Sequence, residues 1–255
     1  MVRIKAWHAL VLVLLFTTAG CGQGKEEVTV SAPMSLKDAL EETKKGYPAK
    51  NVVINLNFGA SGVLQHQVEQ GAPVDVLITA DQERMKDLEG KGLVDPSSRK
   101  DFLTNELVLI TPKDVKIVEN FSDLLKAGVE KIAIGDPGVV PAGKYARQTL
   151  HSLNLWDELK HKLVLAKDVR QVLHYVETGS ADAGLVYLSD AYSSRKVRVA
   201  AIAGKDLHQE IVYSIAILNN SRNQKAASDF VHYLTGAEAA SVFAKYGFSP
   251  ISVQQ

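Results

Sequence analysis

A single cysteine in 255 residues excludes a disulfide framework and any site built on several thiolates. That residue, Cys21, stands close to the amino terminus. Net charge is also missing, because 29 Lys and Arg offset 29 Asp and Glu. No excess of one sign therefore points to nucleic acid or to an acidic membrane surface as a partner. No internal repeat and no low-complexity stretch is present. A bilayer-spanning helix needs about 20 apolar residues, and the run from Trp7 to Phe16 is too short. Six histidines, His66, His151, His161, His174, His208 and His232, are scattered along the rest of the chain. No two of them stand at i, i+4 with a Glu between, so the zinc-protease arrangement is excluded.

What the amino terminus does hold is informative. Arg3 and Lys5 precede the apolar run, small residues follow from Thr17 to Gly20, and the polar Gly22-Gln23-Gly24-Lys25 comes after Cys21. Charged flank, short apolar stretch and small-residue cleavage site make a secretory signal. Thr18-Ala19-Gly20-Cys21 resembles a bacterial lipobox, in which the cysteine is acylated and becomes the first residue. Thr18 departs from it, since Leu is usual there. Residues 1–20 are thus expected to be a lipoprotein-type signal peptide, with Cys21 lipidated. A diacylglycerol supplies the two chains that stable anchoring requires. An ordinary signal with a chance cysteine is the plainer alternative.

About 235 residues remain, enough for one large domain or two ordinary ones. Short apolar runs alternate with helical patterns, which argues α/β with mostly parallel strands. Strands are expected at 28–32, 52–58, 74–79, 106–111, 131–134, 163–165, 183–187, 197–202 and 211–218. Helices fall between them, and two more, about 224–234 and 236–246, close the chain.

Three strand-to-helix junctions carry small or hydroxyl residues. Ser35 precedes a helix with Asp38 three residues on, Ser61 precedes Gly62, and Asp168 precedes Val169 with Gln171 three on. Ser and Asp are preferred N-caps, so each could simply serve its own helix. Alternatively, several helix starts converge on one cleft, where free N–H groups and helix dipoles bind an anion without a charged side chain. Local spacing leaves both open.

Along the chain come Ala32-Pro33-Met34-Ser35-Leu36, Phe58-Gly59-Ala60-Ser61-Gly62, Gly71-Ala72-Pro73-Val74-Asp75-Val76 and Thr79-Ala80-Asp81-Gln82. Gly135-Asp136-Pro137, Val140-Pro141-Ala142-Gly143-Lys144-Tyr145-Ala146, Asp168-Val169-Arg170 and Gly184-Leu185-Val186-Tyr187-Leu188-Ser189-Asp190 follow, then Phe243-Ala244-Lys245-Tyr246-Gly247-Phe248. In this order the segments resemble the periplasmic molybdate-binding proteins of the ABC-transporter solute-binding superfamily. The resemblance implies a type II periplasmic-binding-protein fold: two α/β lobes with mixed sheets flanked by helices, and a ligand cleft between them. It places one lobe at 26–109 plus 211–255 and the other at 110–210. It implies an oxyanion held by the Ser35 and Ser61 hydroxyls, the main-chain N–H groups of Ala142 and Val169, and Tyr187. Ala60 and Gly62 stand where relatives often carry further serines.

The implied ligand is molybdate or tungstate, with no cofactor and no directly ligated metal. Such dianions are fully deprotonated at neutral pH, so their oxygens only accept hydrogen bonds. Phosphate keeps a proton there, and none of the five positions offers it a carboxylate. The implied partner is an ABC permease, the expected state a monomer, and the expected place outside the cytoplasm on a lipid anchor. Lys144 and Arg170 are expected to point to solvent, and Asp136, Asp168 and Asp190 to serve caps and turns. Two other readings remain. A hydrolase would need a base beside Ser35 or Ser61, and neither sits in a G-x-S-x-G elbow. A binder of sulfate, phosphonate or a divalent metal would share the architecture.

Overall fold

Val28, Val30 and Ala32 lie two apart, so an extended backbone turns all three to one face. In the computed structural model they are fully buried on β1 (Glu26–Pro33). The structure describes residues 25–251; the expected signal peptide and Cys21 lie outside the described residues. A short 3-10 turn at Met34–Leu36 leads into α1 (Lys37–Gly46), whose buried face is Ala39, Leu40 and Thr43. β2 (Val52–Gly59), α2 (Ser61–Glu69), β3 (Val76–Thr79), α3 (Gln82–Gly90) and β4 (Lys100–Asn105) complete the first set.

The chain then crosses at Glu106 into β5 (Leu107–Pro112). β6 (Ile132–Gly135), α4 (Pro141–Ser152), α5 (Trp156–Leu159), β7 (Leu163–Ala166) and α6 (Val169–Glu177) follow. After them come β8 (Ala183–Tyr187), α7 (Leu188–Tyr192) and β9 (Val197–Ile202). A second crossing, residues 203–210, returns to β10 (Ile211–Ile217), α8 (Gln224–Leu234), α9 (Ala237–Lys245) and β11 (Ser249–Pro250).

Two sheets result, with strand orders β11-β4-β10-β3-β1-β2 and β7-β6-β8-β5-β9. The expectation of mostly parallel strands needs correction. Among the described residues four pairings are parallel and five antiparallel. The reason is the crossing. β1, β2 and β3 run toward the gap between the sheets, whereas β10 enters its sheet from that gap and must run away from it. β5 does the same in the second sheet. Both sheets therefore share one plan, three parallel strands and then an antiparallel arrival, although the sequence shows no repeat.

β10 and β8 are buried at every residue and β5 at all but Pro112, which is why they read as near-continuous apolar runs. β4, Lys-Asp-Phe-Leu-Thr-Asn, escaped the sequence reading because only Phe102 and Leu103 of it are buried. β5 pairs along its length with β8 and β9. A division at 109/110 would cut this strand, and a division by sheet falls at Glu106.

Candidate functional site

All six parallel strands end at the gap between the sheets, the place where open α/β sheets take ligands. Each end delivers part of one small cavity between the sheets. Ser35 follows β1, Ser61 opens α2 after β2, and Ala80 follows β3. Opposite them, Ala142 lies in the first turn of α4 beyond β6, Val169 opens α6 after β7, and Tyr187 ends β8. The five positions expected from the sequence thus line a single cavity. None is more than 4 % exposed, so an anion held there is shielded from bulk water.

The hydrogen bonds show which groups have protons to give. Ser61 Oγ accepts the Ala80 N–H at 3.2 Å, which leaves its own proton for the cavity. Ser35 Oγ shares a 2.9 Å bond with the Tyr213 hydroxyl. Asn105 Nδ2 donates toward that hydroxyl at 3.5 Å, which favours Tyr213 as donor to Ser35 and frees the Ser35 proton. The Tyr187 hydroxyl is buried and has no partner among the described residues. Burial pushes its pKa well above the ordinary phenol range, so it stays protonated and can only profit from an acceptor. Leaving such a group unpaired costs about 1–3 kcal/mol.

Main-chain donors complete the set. Among the described residues, nothing accepts from the N–H of Ser35, Ser61, Ala142 or Val169. Each of the four sits in the first turn of a helix, where N–H groups have no intrahelical partner.

Of the two alternatives left open for the serines, capping does not hold. Neither Ser35 nor Ser61 caps its helix: Ser35 lies inside the 3-10 turn, and Ala60 occupies the N-cap position before Ser61. Asp168 does cap α6, accepting the Gln171 N–H at 2.8 Å, and it also lines the cavity. Asp136 serves a turn by accepting the Gly138 N–H at 2.9 Å.

Lys144 and Arg170 are half-buried and pair with carboxylates, and neither lines the cavity. Lys144 Nζ lies 3.1 Å from Asp81 and 2.6 Å from Glu83, and Arg170 lies 2.7 Å from Asp38 and 3.0 Å from Asp190. Their charge is met by carboxylates and is not left for the ligand. Asp190 is fully buried, and that burial, partly offset by Arg170, pushes its pKa up to about 7. Among the described residues no histidine lines the cavity, so neither serine has a histidine base beside it. No cluster of three or more His, Cys, Asp or Glu that could hold a metal occurs among the described residues. Tyr213 and Asn105 were not found from sequence. Tyr213 lies within a wholly buried strand and has no motif around it.

Residues 28–249 match the family model described as bacterial extracellular solute-binding protein. The chain belongs to that family. It is 41% identical to a Bacillus subtilis protein named as a candidate ABC transporter substrate-binding lipoprotein, over 93% of this chain and 95% of the relative. The molybdate-binding protein of Escherichia coli is 37% identical over 92% of this chain and 94% of its own. Among solved structures, a substrate-binding domain assigned to a molybdenum ABC transporter of Clostridium difficile is 40% identical. It superposes with a TM-score of 0.71 over 89% of this chain and 99% of that one. This solute-binding protein therefore acts outside the cytoplasm by binding and is not an enzyme. Its two mixed sheets are the periplasmic-binding-protein fold.

Proposed function

We propose that this solute-binding protein captures molybdate or tungstate and delivers it to the permease of an ABC transporter. The observation that carries the reading is the make-up of the cavity. Three hydroxyls with protons to give and four unpaired helix-start N–H groups line it, and no cation contacts it. A fully deprotonated oxyanion accepts at every oxygen and satisfies such a set without burying a counter-ion. The names of the relatives supply the choice of metal oxyanion. Asp168 is the one carboxylate at the cavity, and its Oδ1 already serves the Gln171 N–H. A phosphate proton could be met there only by the remaining Oδ2 of Asp168, so phosphate is the arm of the titration that tests this carboxylate.

The same reading takes the halves built on the two sheets as lobes that separate to admit the anion and close over it. The lobes are residues 26–105 with 211–251, and residues 107–202, divided by sheet. It has the protein working as a monomer tethered through a lipid on Cys21. Calorimetric titration with molybdate, tungstate, sulfate and phosphate tests the ligand. Molybdate and tungstate are expected to bind tightly, sulfate more weakly and phosphate not measurably. Tighter binding of sulfate or phosphate, or no binding of any, would overturn the assignment.

A further inference from the structure

Both basic side chains beside the cavity span the gap. Arg170 follows Val169, a main-chain donor, at the start of α6. Its Nε lies 3.0 Å from the buried Asp190, and its Nη1 donates to Ser193 Oγ at 2.8 Å; both partners are in its own half. Its Nη2 reaches across to Asp38 on α1 at 2.7 Å, three residues beyond Ser35. Lys144, two residues past Ala142, crosses in the same way to Asp81 and Glu83 at the start of α3. Nearby, Arg84 Nη2 donates across the gap to the Gly138 carbonyl at 2.7 Å.

Contacts within a half survive when the lobes part, and contacts across the gap do not. The cross-gap pairs therefore favour the closed form alone, and an interaction present in one state shifts the population toward it. Asp190 matters because it lies beside the guanidinium within the same half, where its position would survive opening and limit the freedom lost when the pair forms. We propose that Asp38 and Arg170 form a closing latch, pre-aimed by Asp190 and seconded by Lys144 with Asp81 and Glu83, that sets how long the oxyanion stays bound. These are positioning residues, since none of their charged groups faces the ligand. The proposal rests on the closed cleft being the bound form.

The test is the rate of molybdate release, followed by stopped-flow protein fluorescence in the intact secreted chain. Asp38→Asn should raise the release rate about 1.5- to fivefold, the range for a partly exposed ion pair, with the association rate little changed. Added salt should speed release from the wild type more than from the variant. Asp38→Glu should restore part of the residence time. Glu42→Gln, which breaks the Glu42–Lys245 pair inside one half, should leave release unchanged. Equal release rates for wild type and Asp38→Asn overturn the latch. A wild type that fails to bind molybdate overturns the ligand assignment instead. Small-angle scattering of the unliganded proteins then decides the latch: a more open Asp38→Asn supports it, and identical curves overturn it.

Discussion

At the scale of single residues, the site is made of groups that serve the fold poorly. The Tyr187 hydroxyl is buried and unpaired, and the Ser35 and Ser61 hydroxyls each have one partner and one proton to spare. Removing such a group should separate stability from binding. Tyr187→Phe is expected to leave the melting temperature of the ligand-free protein unchanged or higher, because an unsatisfied buried group costs about 1–3 kcal/mol. The same change should weaken molybdate binding, as should Ser35→Ala and Ser61→Ala, by about 1–3 kcal/mol each. Calorimetry and thermal melts on the same samples check both halves of this expectation. Unchanged affinity in all three variants would move the site elsewhere. Ser35, Ser61 and Tyr187 were legible in the sequence through the resemblance. Their supports were not, because Tyr213 and Asn105 are remote from Ser35 in the chain and only strand pairing brings them beneath it.

At the scale of elements, the helix starts carry the chemistry, and one glycine shows how closely they meet. The Gly62 N–H donates to the Val139 carbonyl across the gap at 2.9 Å. A Cβ added at Gly62 would stand 2.8 Å from both the Cα and the carbonyl oxygen of Val139. A serine at this position would add a hydroxyl but hold the two halves apart. Glycine at position 62 thus permits a backbone-to-backbone approach between the halves. Gly62→Ala should lower molybdate affinity at least tenfold, with circular dichroism and the unliganded melting temperature nearly unchanged. Wild-type affinity in that variant would show that the approach at Gly62 is not required for binding. Gly143 is constrained differently. Its added Cβ would fall on the Gly135 carbonyl, so this glycine lets α4 pack against the end of β6 within one half.

At the scale of the whole molecule, the two crossings at Glu106 and 203–210 are the covalent links between the halves through which opening must pass. They also show why a division by sheet differs by a few residues from the boundary expected from the sequence. Apolar residues run from Leu107 through Ile110 without a break, and nothing in the chain marks which sheet a strand joins. No helix among the described residues is long and apolar enough to cross a membrane, so attachment is proposed to rest on Cys21. Cys21→Ala should move the protein from the membrane fraction to the soluble extracytoplasmic fraction, read by fractionation and immunoblot. Retention in the membrane would assign attachment to an uncleaved apolar segment or to another contact.

The sequence by itself determined the alternation of strands and helices and the buried faces, because these follow from periodicity and local composition. It also offered, at Ser35, Ser61 and Asp168, a choice between helix caps and an anion site that spacing could not resolve. Tertiary structure made that choice: Asp168 caps, whereas the two serines turn from their helices toward a shared cavity. It alone decided that β5 and β10 run antiparallel and that Lys144 and Arg170 bridge the gap. These outcomes depend on groups from opposite halves, 38 with 170 and 81 with 144, meeting in space. No local rule along the chain records such a meeting.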